Sequence, residues 1–324
     1  MSTRRAALAG LAASAVLLGA GGARAADEFP SRPVTIVAPF PAGSVTDNVT
    51  RVLAKALGES LGQPVIVENK AGAQGTIGAA FVANAKPDGY TLLMGSSVMF
   101  VATGLYKSLS YDPVKSFAPV AAVGSTAMMF LVPQDSAYRS VADLAKADKQ
   151  GGKPISMGYG SPSGQVAVAL FSTVTGTGPI GVSYRGIPQA ITDMLGGQVQ
   201  VAVVDVGSGL TQVNGHKARA LAISSGARYS GAPDVPTLQE RFPKASGTLE
   251  TIIAVMAPAG TPAPVVDRLD AAIHKAMETT EVKAQFQALN TSVLTLSSKQ
   301  LDARIRADNP RWQELMTKAG IEPQ

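Results

Sequence analysis

The feature that leaves fewest folds open is a repeated alternation of a short, continuous apolar run with an amphipathic helical stretch. Val34-Thr35-Ile36-Val37-Ala38 is such a run, and a strand of this kind belongs in a sheet covered on both faces. Ser44 to Gly62 follows, with Val49, Leu53 and Leu57 on one helical face. Val65-Ile66-Val67, a helix over Thr76 to Ala85, and Thr91-Leu92-Leu93-Met94 continue the alternation. Repeats of about 25–30 residues predict right-handed β-α-β units on a parallel sheet.

The pattern restarts after Met128-Met129-Phe130-Leu131-Val132-Pro133. Ile155 to Tyr159 reads as a strand leading into the loop Gly160-Ser161-Pro162-Ser163-Gly164, and a helix follows with Val166, Leu170 and Val174 in phase. Gly181 to Tyr184 is a strand, and the next helix opens at Ile187-Pro188 and closes at Gly196-Gly197, as the preference for Pro at helix starts and Gly at helix ends expects. Val199 to Val204, ending at Asp205, and Ala220 to Ile223 are further strands. A third stretch starts with the strand Ile252 to Met256 and the turn Pro258-Ala259-Gly260-Thr261-Pro262. It continues as a helix with Val265, Leu269, Ile273 and Met277 in phase, then a last helix over Leu301 to Lys318 that Pro310 should kink or split. Two α/β lobes with a helical tail account for this order, and 324 residues suit two domains.

The first 25 residues read as an export signal cut after Ala25. Arg4 and Arg5 precede an apolar stretch, Ala6 to Ala20, and Ala23-Arg24-Ala25 has the small-residue spacing of a cleavage site. The formal charge of +5 owes most of its size to this leader. Removing residues 1–25 removes three arginines and no acid, leaving 25 bases against 23 acids. No basic run with interleaved aromatics remains, so nucleic acid is not an expected partner. The absence of cysteine excludes disulfides, thiolate–metal sites and thiol nucleophiles.

In open parallel sheets, ligands sit beyond the carboxyl ends of the strands. Three such loops are rich in small and hydroxylated residues: Pro39 to Asp47, Gly95-Ser96-Ser97, and Ser161 to Gly164. The first and third lead directly into helices, whose free N–H groups and positive dipole ends favour anions. An anionic small molecule, most simply a carboxylate, fits these loops; alternatively Ser44, Thr46, Asp47 and Ser163 serve as helix caps. Asp47 and Asp205 stand beyond strand ends, either as site carboxylates or as acceptors for neighbouring N–H groups.

Catalytic patterns fit less well. A nucleophile elbow needs Gly-x-Ser-x-Gly, and Pro162 occupies the serine position between Gly160 and Gly164. The two histidines, His216 in a turn and His274 off its helix's apolar stripe and expected in solvent, have no motif joining them to a nucleophile. Gly72-x-x-Gly75-x-x-Gly78 is not the dinucleotide fingerprint. No cofactor, metal or catalytic residue is expected.

The motif order resembles the Bug family, the extracytoplasmic receptors of tripartite tricarboxylate transporters. The likeness starts with Phe29-Pro30-Ser31-Arg32-Pro33-Val34, Pro39-Phe40-Pro41-Ala42-Gly43 and Thr46-Asp47. It continues through Val67 to Gly72, Pro87 to Leu93, Leu105-Tyr106, Tyr111-Asp112-Pro113, Tyr184-Arg185-Gly186, Leu195 to Val199 and Pro233 to Thr237, and closes with Ala257 to Pro262. The resemblance implies a two-lobe periplasmic-binding-protein (type II) fold with a hinge between the lobes. It places ligand contacts at Phe40, Ala42, Gly43, Ser44 and Asp47, at Ser161, Ser163 and Gly164, and at Asp205; the Gly95-Ser96-Ser97 loop adds Ser96. Where the family usually has a second glycine, a histidine and a tryptophan, this chain has Ser44, Gln165 and Ile252, and the family's His-Ala-x-Asn-Pro stretch is replaced around Met99 to Thr103.

The expectation is a monomeric periplasmic receptor that closes around a small carboxylate and delivers it to membrane permease subunits. Lobe 1 would comprise residues 26–126 and 247–324, and lobe 2 residues 127–246, with hinge crossings near Phe130 and Val255. Alternatives are a sensing receptor for a sensor kinase and a periplasmic serine hydrolase using Ser161 or Ser163.

Overall fold

Each early element has local causes that survive into the tertiary structure. The computed structural model of the protein describes residues 29–96, 99, 108–150, 154–229, 231–243 and 247–318. The expected leader, its cleavage site and the Leu105-Tyr106 motif lie outside these residues. Strand β1 (Val34–Ala38) is followed by α1 (Val45–Leu61), capped by the Ser44 side chain at its start and by left-handed Gly62 at its end. Val49, Leu53 and Leu57 of α1 are fully buried, each contributing about 1.5–3 kcal/mol relative to exposure. β2 (Val65–Asn69), α2 (Thr76–Ala83) and β3 (Thr91–Ser96) complete the first unit, and β1 pairs in parallel with both β2 and β3.

β4 (Phe117–Pro133) is 17 residues long and is shared by both halves. After it come α3 (Val141–Gln150), β5 (Ser156–Tyr159), α4 (Pro162–Thr175), β6 (Ile180–Ser183), α5 (Ile187–Leu195), β7 (Val201–Asp205), α6 (Val206–Asn214), β8 (Ala218–Ile223) and the single turn α7 (Leu238–Arg241). The chain then returns through β9 (Glu250–Pro258), α8 (Ala263–Glu278), α9 (Thr280–Ala288), β10 (Ser292–Ser297) and α10 (Ser298–Lys318). The strands run in the order β2-β1-β3-β9-β4-β7-β5-β6, with β8 and β10 also paired to β4.

The sheet is therefore mixed rather than wholly parallel. β5 lies parallel to β6 and β7, but every pairing of β4 is antiparallel, as is β3 with β9. In β4 the partner changes between Ala127, opposite Glu250 of β9, and Met128, opposite Asp205 of β7. Phe130 instead sits inside the second half, opposite Val203 and Ala222, and Val255 sits inside the first, opposite Ala121. The crossings are thus Ala127/Met128 and the passage from Ser224 to Leu249. Ser224 N donates to Met128 O at 2.8 Å, and its Oγ accepts from Met128 N at 2.9 Å. The same hydroxyl donates to Leu249 O at 2.7 Å, and Leu249 N donates back to Ser224 O at 2.8 Å. One buried serine thus ties both crossings together.

Both faces of the sheet are covered. Met129 belongs to the cluster with Ile191, Met194 and Leu210, while the adjacent Phe130 belongs to the one with Phe171, Leu301 and Trp312. That alternation is the period-2 signature of a strand buried on both sides. α10 is continuous through Pro310, which does not split it. Leu301, Ile305, Asp308, Trp312 and Met316 are buried at helical spacing on both sides of the proline, so packing outweighs the lost backbone hydrogen bond.

Candidate functional site

The loop between β1 and α1 is built by its own residues. Ser44 Oγ accepts from Asp47 N at 3.2 Å, and Asp47 Oδ2 accepts from Gly43 N at 2.9 Å. The helix cap and the turn before it therefore brace each other. Gly43 has φ +80°, a left-handed conformation that glycine adopts at no steric cost. Asp47 is 2% exposed. Its Oδ1 accepts from Asn69 Nδ2 at 2.8 Å and lies 2.9 Å from an Arg51 guanidinium nitrogen, while Asn69 also donates to Phe40 O at 3.1 Å. Burial pushes the Asp47 carboxyl up, but the hydrogen bonds from Arg51, Gly43 and Asn69 outweigh it and hold the group below its ordinary value.

The loop after β5 becomes helix sooner than its sequence suggests. Ser161 is the cap of α4, accepting from Gly164 N at 3.2 Å, so Pro162, Ser163 and Gly164 form the first helical turn. Gly160 is required by contact, since a Cβ there would lie 2.1 Å from the carbonyl carbon of Gly186. Asp205 caps α6, with Oδ1 accepting from Ser208 N at 2.8 Å and Oδ2 from Ser208 Oγ at 3.0 Å. Its burial raises the carboxyl above the ordinary aspartate value, only partly offset by those Ser208 hydrogen bonds.

These helix starts surround a cavity of about 560 Å³, part of it open to solvent. Its floor follows from strand register. Ser96 of β3 is opposite Ile253 of β9, and Thr251, two residues earlier on the same face, is opposite Thr126 of β4. Met128, two residues beyond Thr126, continues that face. The Ser96 and Thr251 hydroxyl oxygens are buried without a hydrogen-bond partner, an arrangement that calls for a polar guest.

Of the residues singled out from sequence, Phe40, Ser44, Ser96, Ser161, Ser163 and Asp205 line this cavity. Ala42 and Gly43 lie on the exposed side of the turn, and Asp47 lies behind it, satisfied by its three partners. Gly164 packs on Tyr159, where a Cβ would come within 2.8 Å of the tyrosine Cβ. Thr126, Met128, Ile187, Thr251 and Ile253 also line the cavity; of these, only the Pro-flanked helix start at Ile187 carried a local signal. Neither histidine lines it. His216 is in a left-handed turn, and His274 is half-buried rather than solvated, its Nδ1 2.8 Å from Asp270 Oδ1. The helical i,i+4 spacing places that pair together.

Two α/β halves joined by shared antiparallel strands, with helix N-termini from both halves facing one cavity, define a two-lobe solute-binding protein. The sequence pattern described as "Tripartite tricarboxylate transporter family receptor" matches residues 49–321. A relative from Pseudomonas sp. (strain P51), the UPF0065 protein in the tcbD-tcbE intergenic region, is 33% identical over 97% of this chain and 94% of its own length. The structure of the periplasmic binding protein BugD superposes with a TM-score of 0.84 at 33% identity, covering 91% of this chain and all of that one. The R. palustris protein Rpa4515, solved with adipate, gives 0.85 at 26% identity, covering 92% and 100%. The chain belongs to the tripartite tricarboxylate transporter receptor family, as its motif order implies. Its family and its structural neighbours are receptors and binding proteins.

Proposed function

We propose that the protein is an extracytoplasmic receptor that binds a small carboxylate in the cavity between its lobes, performs no chemistry on it, and delivers it to membrane permease subunits. The observation that carries this reading is the pairing of capped helix N-termini from opposite halves, at Ser44 and Ser161, around a cavity holding the unpartnered hydroxyls of Ser96 and Thr251. Free N–H groups and dipole ends supply the attraction for an anion, and the hydroxyls add donors. Residues 26–126 with 247–324 and residues 127–246 are the two lobes on this reading. They close as rigid units about Ala127/Met128 and the Ser224–Leu249 passage.

Phe40, Ser44, Ser96, Ser161, Ser163 and Asp205 would contact the ligand, while Ala42, Gly43, Asp47 and Gly164 would shape the backbone that does. The mature receptor would be a periplasmic monomer, released by cleavage after Ala25. Ser161 and Ser163 have no histidine at the cavity to activate them, which favours binding over hydrolysis. A thermal-shift screen of mono-, di- and tricarboxylates tests the reading. A true ligand at 100 times its Kd stabilises by about 2.7 kcal/mol, a rise of roughly 4 °C in Tm for a chain of this size. A broad acid panel that leaves Tm unmoved rejects it.

A further inference from the structure

Resting on the lobe closure proposed above, we infer a second site behind the hinge, which takes a small zwitterion carrying a carboxylate and an ammonium group and draws the lobes together when filled. A second cavity, of about 1160 Å³ and part of it open to solvent, lies among β4 at Ser125 and Ala127, the loop after β8 at Tyr229, Glu250 of β9 and Arg304 of α10. Strand alternation places it on the far side of the hinge from the ligand cavity. Thr126, Met128 and Thr251 face the ligand cavity, so Ser125, Ala127 and Glu250, one residue out of phase, face the other way. Thr126 lines both cavities, so the thickness of one strand layer separates them.

The two walls of this rear cavity belong to different lobes. Tyr229 packs with Met129 and Ile191 of the second half, while Glu250, Ser292 and Arg304 follow the return of the chain into the first. Ala127 lines the rear cavity and Met128 the front one, so the crossing between them lies at the pivot. A rotation that brings Ser44 and Ser161 together therefore moves Ser292 and Arg304 away from Tyr229. A guest that fills the widened gap binds the closed form better than the open one and shifts the population towards it. By linkage, a carboxylate in the front cavity tightens the rear guest by the same factor.

The chemistry of the guest follows from two charges that share the rear cavity. Arg304 donates from Nε to Asp308 Oδ2 at 2.8 Å. Its two Nη groups have no partner among the described residues, and a planar pair of donors matches a carboxylate. Glu250 accepts from Ser125 Oγ at Oε1, 3.1 Å away, and its Oε2 has no partner among the described residues, which leaves a seat for an ammonium group. Arg304 and Glu250 form no ion pair with each other. Arg228, also at this cavity, is already held by Glu240 through Nε and Nη2. A lone anion would suit the arginine but face the glutamate as a like charge, and a lone cation would meet the reverse.

Isothermal titration with glycine and γ-aminobutyrate, and with butanoate and butylamine as single-charge controls, tests the site; small-angle scattering tests the closure. At least one zwitterion should bind the wild-type protein, and Glu250→Gln and Arg304→Gln should each weaken it by about tenfold or more. Glu250→Gln keeps an acceptor for Ser125, so folding is not at stake in that variant. The radius of gyration should fall when the zwitterion is added to wild type, and should not fall in Glu250→Gln. No zwitterion binding, or binding that neither substitution changes, overturns the site. Butanoate or butylamine binding as tightly, with the same sensitivity to both substitutions, overturns the zwitterion. Binding without a fall in radius of gyration overturns the closure. None of these results touches carboxylate binding in the front cavity, which the thermal-shift screen decides separately.

Discussion

Gly43 and Asp47 are joined by a hydrogen bond of 2.9 Å from the glycine N–H to the carboxylate Oδ2. The carboxylate therefore does not face the ligand cavity; it holds the turn that does. Its other bonds, to Arg51 and Asn69, fasten that turn to α1 and to the end of β2. Asp47→Ala should cost about 1–3 kcal/mol, since it leaves buried donors unmatched, and should weaken carboxylate binding by loosening Ser44. Because the folded-state value of Asp47 is lowered, its contribution is fully present above the unfolded aspartate value near about 4 and is lost as pH falls through the folded value. Urea unfolding at pH 7 and at lower pH checks this: the gap between wild type and variant should be widest at pH 7 and shrink as the pH is lowered below about 4.

Gln74 links the two halves. Its Nε2 donates to Ser183 Oγ at 2.9 Å, across 109 positions of sequence, yet its backbone has φ +53°, unusual for a side chain of this kind. A residue kept in a strained conformation while it bridges two bodies suits a clasp on the closed form. Gln74→Gly should relieve about 1 kcal/mol of strain yet weaken ligand binding roughly 2–10-fold by losing the bridge. Opposite signs in a melting curve and a titration are the signature to look for; a variant that binds as well as wild type removes the clasp.

Ser224 joins the strand crossings through Met128 and Leu249. Ser224→Ala leaves the Met128 N–H and the Leu249 carbonyl without their side-chain partner in a fully buried place. The expected loss is about 1–3 kcal/mol, read by denaturant midpoint. Small-angle scattering of the unliganded protein should report a wider spread of lobe separations, whereas a serine that served packing alone would change stability and leave the scattering as it was.

Asp205 is the converse of Asp47. Its folded-state value is raised by burial, so its protonated form is favoured on folding. That stability is present below the unfolded value and is lost as pH rises. Asp205→Asn, retaining the α6 cap, should melt higher than wild type at pH 7, and the advantage should vanish below about pH 4. Calorimetry across that range decides it; a variant less stable at every pH contradicts the burial cost.

Local chemistry was enough to read α1 between Ser44 and Gly62, α5 between Gly186 and Gly196, and the buried strands β1 and β7. Caps, left-handed glycines and apolar spacing act over a few residues, so they show in sequence. α6 was hidden because Gly207 and Gly209 are poor helix formers. Their glycines answer to contact instead: a Cβ on Gly207 would lie 2.6 Å from Leu289 O, and one on Gly209 would lie 2.6 Å from Met129 Sδ. β4 was read only from Met128 onward, because Pro119 and Gly124 interrupt the pattern where the register with β9 shifts.

The sequence by itself determined the alternation of strands and helices, the capped helix starts at Ser44 and Ser161, and the order of motifs that marks the family. Tertiary structure alone decided that Thr126 stands opposite Thr251, that Ser96 stands opposite Ile253, and that Asp47 points away from the cavity while Asp205 lines it. The reason is range. A cap or a turn is set by neighbours within one helical turn, whereas the cavity floor comes from strands more than a hundred residues apart, whose register depends on every side chain buried between them.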